Sequence, residues 1–579
     1  MSLRNDFEAA RATLKQSFKK VAGYSLLSSL CVLAMPIYLA QVYNRVIPSH
    51  SLETLVAIFV AALVVLISYA VFDAVRQYLL TRAALHFEGE LAGLVLAGEM
   101  ARQSDTNKQT INDLAVVRGT VASSAFGALF DLPALPFFML LVFLVHPVLG
   151  LVVLAGGAAL VALALYGNRR TGPMSEDLSR QVQLASRRLE DLMASQELVR
   201  SQGLYRESVK AWGRLYAPTL TDYLKSSIAS NSFSSASKAG RQILQILIIG
   251  AGALLVIDNQ ANAGVIFAAS ILAGRALAPV EMIISTWRHL RGGQEAWARL
   301  TARMDELTLP ENRTPLPRPK GRIEMDRLIY TPRPGQPPIL RGISGTIQAG
   351  DCVAIIGPSG AGKSTLARIL VGYIEPSHGK VALDGQELSV WDPVARGLHV
   401  GYMPQQVNFF EASIRENIAR LRMDDDPALA VQTAQSVGVH DMILRFPEGY
   451  DTQLKRGAFW PSGGQAQLIA LTRAFYGSPS VLVLDEPNAA LDQLGERILH
   501  HALKMARARG MTVVVVTQRP SLLQDVDKII VMRGGEVSDF GPRDEVLQRQ
   551  KDAAAKALPR RAPKTPPPAA PANTASGEA

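Results

Sequence analysis

Gly357-Pro358-Ser359-Gly360-Ala361-Gly362-Lys363-Ser364-Thr365 fits the pattern G-x-x-x-x-G-K-[ST]. The apolar run Cys352 to Ile356 precedes it and reads as a buried strand, and Leu366 to Leu370 follows with helical character. Strand, loop and helix in that order are the setting a phosphate-binding loop needs. The glycines let backbone N–H groups turn inward around phosphate oxygens, and the helix N-terminus adds a favourable dipole. In such a loop Lys363 reaches the β- and γ-phosphates and Ser364 ligates Mg²⁺. An accidental Gly-rich turn would not supply every fixed position together with this context.

A second cluster lies downstream. Val481-Leu482-Val483-Leu484-Asp485-Glu486 is an apolar strand that ends in two carboxylates. After a phosphate loop, an acid at a strand end suits Mg²⁺, which points to Asp485. The adjoining Glu486 suits a general base that orients an attacking water. A strand-end Asp-Glu pair is weak alone and strong behind a phosphate loop.

What must carry these residues is more than one domain, since 579 residues exceed a single core. The two cysteines, Cys31 and Cys352, sit in apolar runs, which excludes a disulfide framework and a Cys-based metal site. The net charge of +10 suggests a membrane surface or nucleic acid as partner. Hydropathy decides for the membrane, and no nucleic acid is expected. Six long, charge-poor runs crowd the N-terminal half: Val21–Asn44, Leu55–Phe72, Phe126–Val145, Leu149–Gly167, Ile243–Ile257 and Ala263–Thr286. Runs of that kind read as membrane spans. The first is too long for a signal-peptide core and shows no small-residue cleavage site.

The short connections 45–54, 146–148 and 258–262 hold only Arg45, whereas the N-terminus and the connections 73–125 and 168–238 are rich in Lys and Arg, including Arg169, Arg170, Arg187, Arg188, Lys210 and Lys225. The charge asymmetry predicts a cytoplasmic N-terminus, and an even number of spans returns the chain to the cytoplasm. The two long connections read as helical extensions of the spans. Turns near Ser104-Asp105-Thr106 and Ala217-Pro218-Thr219 would seat short helices against a nucleotide domain, or the connections are solvated loops. Asp131, Arg275 and Glu281 are ionisable at membrane depth, where such groups line a polar path or pair with another span. Pro133, Pro136 and Pro279 are expected to kink spans three and six. The domains expected are a cytoplasmic segment 1–20, a six-helix region 21–303, a linker 304–320 that is Pro-rich, an α/β domain 321–550, and a disordered Ala/Pro-rich tail 551–579.

Between the two clusters stands Pro461-Ser462-Gly463-Gly464-Gln465, followed by a helical run. Ser-Gly-Gly-Gln resembles the signature of ATP-binding-cassette (ABC) proteins. The resemblance implies that Ser462, Gly463, Gly464 and Gln465 bind the γ-phosphate of an ATP held by the opposite subunit, so that two nucleotide domains close face to face on two ATP molecules. Gln405, in Gly401-Tyr402-Met403-Pro404-Gln405, resembles the family's Mg²⁺- and water-sensing glutamine. Ala490-Leu491-Asp492 is similar to its D-loop, with Asp492 the matching acid. Tyr330 is the nearest match to its adenine-stacking aromatic residue. The fold implied is a six-helix ABC exporter-type transmembrane domain followed by an α/β P-loop nucleotide-binding domain, with ATP and Mg²⁺ as cofactors.

The membrane half resembles type I protein-secretion transporters in three stretches: Met35 to Ser49, Asp131 to Pro136 and Gly274 to Glu281. The likeness is greatest to the protease- and glycanase-exporting branch, which lacks an N-terminal peptidase-like domain, and no room for one precedes span one. It implies an inner-membrane half-transporter that dimerises, joins a periplasmic adaptor and an outer-membrane channel, and exports unfolded proteins with an uncleaved C-terminal signal. ATP binding and hydrolysis would drive alternating access. Export of a lipid, drug or small peptide is the alternative cargo, and a hydrolysis-impaired heterodimer partner the alternative role. The chain departs from the family pattern at Pro461, where Leu is usual, at Ala466 and Leu468, and at Gln453-Leu454-Lys455-Arg456, where an acid is usual. Gln518 replaces a switch histidine. It keeps a hydrogen-bond donor for the γ-phosphate but cannot carry a proton. Glu486 and Gln518 are therefore the expected catalytic pair, and Ser364, Gln405 and Asp485 the expected metal ligands.

Overall fold

The computed structural model describes residues 3–102, 109–309, 313, 316–333, 335–422, 424–455 and 457–557. The chain divides into two compact units, Met1–Leu309 and Pro310–Ala579. The division falls inside the Pro-rich stretch 304–320.

Among the described residues of the first unit, six helical segments are long and apolar enough to cross a membrane: Arg4–Ser49, Leu52–Ala101, Ser124–Val145, Pro147–Ala194, Tyr205–Ile257 and Gly264–Glu306. Each apolar run of the sequence lies on one of them. The connections extend the spans as helix, so that Leu52–Ala101 runs for 50 residues from a Ser51 cap and Tyr205–Ile257 for 53. The sixth helix likewise continues past Arg303 to Glu306.

Several expectations change. Residues 1–20 do not form a separate polar segment, because Arg4–Cys31 is one helix. Phe7, Ala10 and Leu14 recur at helical spacing among the charges and are buried with Phe87, Leu91 and Leu300. The Phe7 ring lies 6.1 Å from Phe87 and 5.4 Å from Trp297. Span one is broken at Val32–Leu33, where Pro36 has no N–H to give to the Val32 carbonyl. Two 3₁₀ turns, Ala128–Phe130 and Leu132–Ala134, interrupt span three; Pro133 sits in the second and Pro136 in the first turn of the helix Leu135–Val145. Pro279 lies inside Ala263–Glu306 without ending it. Ala217-Pro218-Thr219 is helix interior and not a turn. The break comes earlier, after the short helix Gln196–Ser201, where Gly203 takes φ +67°. Ser104, Asp105 and Thr106 lie outside the described residues.

Two of the three ionisable groups in the spans are paired across helices. Asp131 accepts hydrogen bonds from Arg76 at 2.6 Å and from Ser25, and Glu281 from Arg241 at 2.9 Å. Arg275 is exposed and has no partner among the described residues. Further along, the buried Glu99 accepts from Thr110 at 2.6 Å and Arg303 at 2.8 Å, and the buried Asp113 takes both arms of Arg299 at 3.0 and 2.7 Å. A charge buried in this way persists because its partners satisfy it.

The described residues of the second unit form ten strands. They are β1 (Ile323–Tyr330), β2 (Leu340–Ile347), β3 (Cys352–Ile356), β4 (His378–Leu383), β5 (Gln386–Glu387), β6 (Val400–Met403), β7 (Val481–Asp485), β8 (Thr512–Val516), β9 (Lys528–Arg533) and β10 (Glu536–Pro542). One sheet has the order β2-β1-β4-β5 and is antiparallel; the other has the order β10-β9-β3-β8-β7-β6. In the larger sheet β6, β7, β8, β3 and β9 are parallel, and β10 is an antiparallel edge. Strands β7 and β8 are buried throughout, as unbroken apolar runs in a covered parallel sheet should be. The last helix, Arg543–Ala557, continues past Gln550, so the tail begins later than its composition suggests. Lys551–Ala557 holds Ala and Lys, which are strong helix formers. Residues 558–579 lie outside the described set.

Candidate functional site

In a parallel sheet the strand order decides which loops meet, because ligands bind beyond the carboxyl ends of the strands. Here β3, β8, β7 and β6 are neighbours in that order. Their carboxyl ends carry, respectively, the phosphate loop, Gln518, Asp485-Glu486 and Gln405. Sequence positions far apart thus reach one edge.

The loop Gly357–Thr365 leads from β3 into the helix Lys363–Leu370. Two of its glycines are needed for close approach. Gly357 has φ +153°, and a Cβ there would lie 2.3 Å from the Met532 carbonyl. Gly362, at φ +92°, would place a Cβ 2.7 Å from the Leu340 side chain. Pro358, Ser359 and Gly360 form the exposed rim, while Ala361, Gly362 and Lys363 are buried and Ser364 and Thr365 half-buried. The Lys363 ammonium donates to the carbonyls of Gly357 and Pro358, both at 2.9 Å, which holds a cation inside the loop.

Ser364 Oγ donates to Asp485 Oδ1 at 3.1 Å. Asp485 is fully buried, and its other oxygen, Oδ2, has no hydrogen-bond partner. Burial pushes the carboxyl above its ordinary pKa, with Glu486 adding repulsion and Ser364 opposing the rise. A buried, half-satisfied carboxylate beside a hydroxyl is a donor set that a hard divalent cation completes. Among the described residues no group of three or more His, Cys, Asp or Glu could hold a metal. A sparse set fits Mg²⁺, which is bound by one or two carboxylates plus substrate phosphates.

Glu486 follows directly. It is held from both sides: Gln405 Nε2 donates to Oε2 at 2.8 Å and Gln518 Nε2 to Oε1 at 2.9 Å. Its backbone is left-handed, with φ +49°. Asp492 caps the helix Gln493–Ala508 by accepting from Gly495 N at 2.7 Å. Ser462 caps the helix Gly463–Phe475 in a reciprocal box with Gln465, at 2.9 Å one way and 3.5 Å the other. Ser462 and Gly463 are exposed at that helix start, with Gly464 half-buried. Tyr330 ends β1, and its carbonyl accepts from Ile339 N at 2.8 Å; the Ile339 carbonyl in turn lies 3.3 Å from a Cβ placed on Gly362. The backbone of Tyr330 thereby lies one strand pairing from the phosphate loop. The described residues thus join Ser364 to Asp485 and both glutamines to Glu486. Among the described residues the Ser462 side chain bonds only within its own helix start.

Sequence reasoning missed residues that hold this arrangement from beneath. Arg420 donates to the carbonyls of Arg473 at 3.0 Å, Ala474 at 3.0 Å and Gly397, closing the far end of the helix Gly463–Phe475. Burial pushes its guanidinium down to about 10. Its sequence, Ile418-Ala419-Arg420-Leu421, gives no sign of that. Gln467 lies under the helix start with both ends of its amide engaged.

The comparisons with known proteins agree with this geometry. Residues 23–278 match the family described as ABC transporter transmembrane region, and residues 340–489 the family described as ABC transporter. The type I secretion system ATP-binding protein PrsD of Rhizobium meliloti is 36% identical over 94% of this chain and 94% of its own length. The cyclolysin secretion/processing ATP-binding protein CyaB of Bordetella pertussis is 27% identical over 90% of this chain and 75% of its own. The leukotoxin translocation ATP-binding protein LktB of Mannheimia haemolytica is 28% identical over 92% and 77%. The structure of a bacterial Atm1-family ABC exporter with ATP bound superposes with a TM-score of 0.81 over 95% of this chain and all of its own, at 22% identity.

Six spans fused to a phosphate-loop ATPase with this sheet order define a multi-pass ABC exporter that binds and hydrolyses ATP to drive transport. Within that class, the chain belongs to the type I secretion family of ABC transporters, on its similarity to the Rhizobium meliloti protein.

Proposed function

We propose that this chain is the energy-supplying inner-membrane subunit of a protein-export system, that it acts as a pair of copies, and that ATP-driven alternating access moves an unfolded polypeptide. The observation that carries the ATP-driven part is Glu486 clamped between Gln405 and Gln518 beside the Ser364–Asp485 pair. The cargo part rests on relatives whose names refer to secretion and toxin translocation.

In this reading the amides of Gly357 to Thr365 and the Lys363 ammonium hold the phosphates, and Tyr330 stacks on adenine. Ser364, Asp485 and Gln405 would hold Mg²⁺, which would supply charge neutralisation on the phosphates. Glu486 accepts the proton of the attacking water, and Gln518 hydrogen-bonds the γ-phosphate. Ser462, Gly463, Gly464 and Gln465 reach the ATP of the opposite copy, with Asp492 beside that interface. The N-terminus and the nucleotide domain lie in the cytoplasm. A periplasmic adaptor and an outer-membrane channel complete the path, and the cargo carries an uncleaved C-terminal signal. Deleting the gene is expected to remove such proteins from the culture medium, and re-expression to restore them. An unchanged secreted proteome with altered envelope lipid would sink the cargo assignment.

Gln518 sets the pace in this reading. A histidine able to carry charge would add a charge-assisted hydrogen bond, worth about 1.5–3 kcal/mol against a neutral one of about 1. Felt only in the transition state, the difference is about tenfold in rate. Gln518→His is expected to raise saturated ATP turnover by about that factor, with ATP binding nearly unchanged because the phosphate loop carries most contacts. Steady-state ATPase of both forms in nanodiscs at saturating Mg-ATP decides it. An unchanged or lower rate would show that the site no longer uses a histidine. No turnover at all in the parent would favour a heterodimer partner.

A further inference from the structure

The helix that begins with the signature and the loop that follows the base are joined by one side chain. Gln467 is 4% exposed. Its Nε2 donates to the backbone carbonyl of Glu486 at 3.1 Å, and its Oε1 accepts from the backbone N–H of Ala490 at 2.8 Å. One planar amide therefore spans the loop from Glu486 to Ala490. The same loop presses on the start of the helix. A Cβ on Gly463 would lie 3.4 Å from the Ala490 side chain, and one on Gly464 3.0 Å from the Ala490 carbonyl.

The backbone of Glu486 needs such support. At φ +49° a glutamate stands in the left-handed region, where its Cβ crowds the following carbonyl oxygen. Strain of that kind persists only where the surroundings over-determine it. Three backbone bonds do so: Glu486 N to the Val516 carbonyl at 2.9 Å, Ala489 N to the Glu486 carbonyl at 3.2 Å, and the bond from Gln467. Gln405 and Gln518 fix the carboxylate, and neither touches this backbone.

We propose that Gln467 is a positioning residue for ATP hydrolysis: it ties the signature helix to the peptide of Glu486, so that a shift of that helix re-aims the base. The proposal rests on Glu486 as the base. It adds a route by which an event at Ser462, the cap of the same helix, reaches the hydrolytic group of its own chain. If Ser462 grips the ATP of the other copy, each copy reports the occupancy of one site to the base of the other.

The test is a double-mutant comparison on the full-length protein in nanodiscs. Gln467→Met keeps length and apolar volume and loses both hydrogen bonds. It is expected to lower kcat about tenfold with KM for ATP changed less than about twofold. Nucleotide-binding capacity is measured alongside to normalise for folded protein. In a Glu486→Gln background the same substitution is expected to change the residual turnover by less than about twofold, because a residue acting through the base has nothing left to act on. A similar tenfold loss in both backgrounds would overturn the proposal, as would a raised KM with kcat intact. If Gln467→Met does not fold, Gln467→Glu keeps the acceptor for Ala490 N and loses the donor to Glu486. A lowered kcat in that variant supports the proposal, and an unchanged one overturns it. Failure of the base assignment reads differently, since Glu486→Gln alone would then turn over normally. Loss of export with ATP turnover intact would fail only the cargo reading.

Discussion

Glu486→Gln is expected to lower steady-state ATP turnover by at least ~100-fold while leaving ATP binding intact. Two effects add. The amide cannot accept a proton from water, so general-base assistance is lost. The clamp also loses its logic: Gln405 and Gln518 each donate to a carboxylate oxygen, and an amide at 486 would turn a donor toward one of them. Binding is spared because Lys363, Ser364 and the loop amides are untouched, and Ser364 keeps its bond to Asp485. The measurements are ATPase at saturating Mg-ATP and equilibrium binding of a fluorescent ATP analogue on the same preparation. Near-normal hydrolysis with normal binding would remove Glu486 from the role of base. Loss of binding together with turnover would mean that the substitution has disturbed the phosphate loop.

The parts of this site that were legible in the sequence are those whose chemistry is written in consecutive residues. The phosphate loop needs glycine where φ is positive and space is short, and Gly357 and Gly362 occupy such places. The strand before Asp485 is apolar at every position because both faces of the parallel sheet are covered. The spans were legible for a similar reason, since long charge-free runs have few other uses. What escaped notice depends on partners distant in sequence. The sequence leaves Asp131 and Glu281 either lining a polar path or pairing with another span, and only the fold supplies Arg76 and Arg241 as the partners. The basic N-terminal stretch conceals a Phe7–Leu14 stripe whose meaning is Phe87 and Trp297. Gln467 is an ordinary helix residue and Arg420 an ordinary residue of the turn after Ile414–Ile418, and their backbone acceptors are what distinguish them. The Pro218 turn failed because the helix Tyr205–Ile257 runs through the proline, and the break falls instead at Gly203, which takes positive φ.

A shared active site makes a sharper demand than any single substitution. If Ser462 acts on the ATP of the opposite copy, then Lys363→Ala and Ser462→Ala each leave a homodimer with no intact site. Mixed in one dimer they regenerate one, in which the Lys363 of one subunit faces the Ser462 of the other. Equal mixing makes half the dimers mixed, so turnover should recover to about a quarter of the unmutated level if the sites are independent, and to less if they alternate. Ser462 has a second duty that the experiment must separate. Its Oγ accepts from Gln465 N at 3.5 Å as a helix cap, and its proton remains free for a phosphate. Removing a serine cap costs about 0.5–2 kcal/mol, which would soften the helix in every Ser462→Ala subunit whatever the partner. Softening of that kind acts in the subunit that carries the substitution, and mixing cannot restore it. Lost phosphate contact is a property of the pair, and mixing can. Recovery on co-expression of differently tagged subunits, isolated as the doubly tagged dimer, therefore supports the trans contact specifically. Absence of any recovery in that dimer, with ATP still bound by the Ser462→Ala subunit, would place Ser462 outside the opposite site.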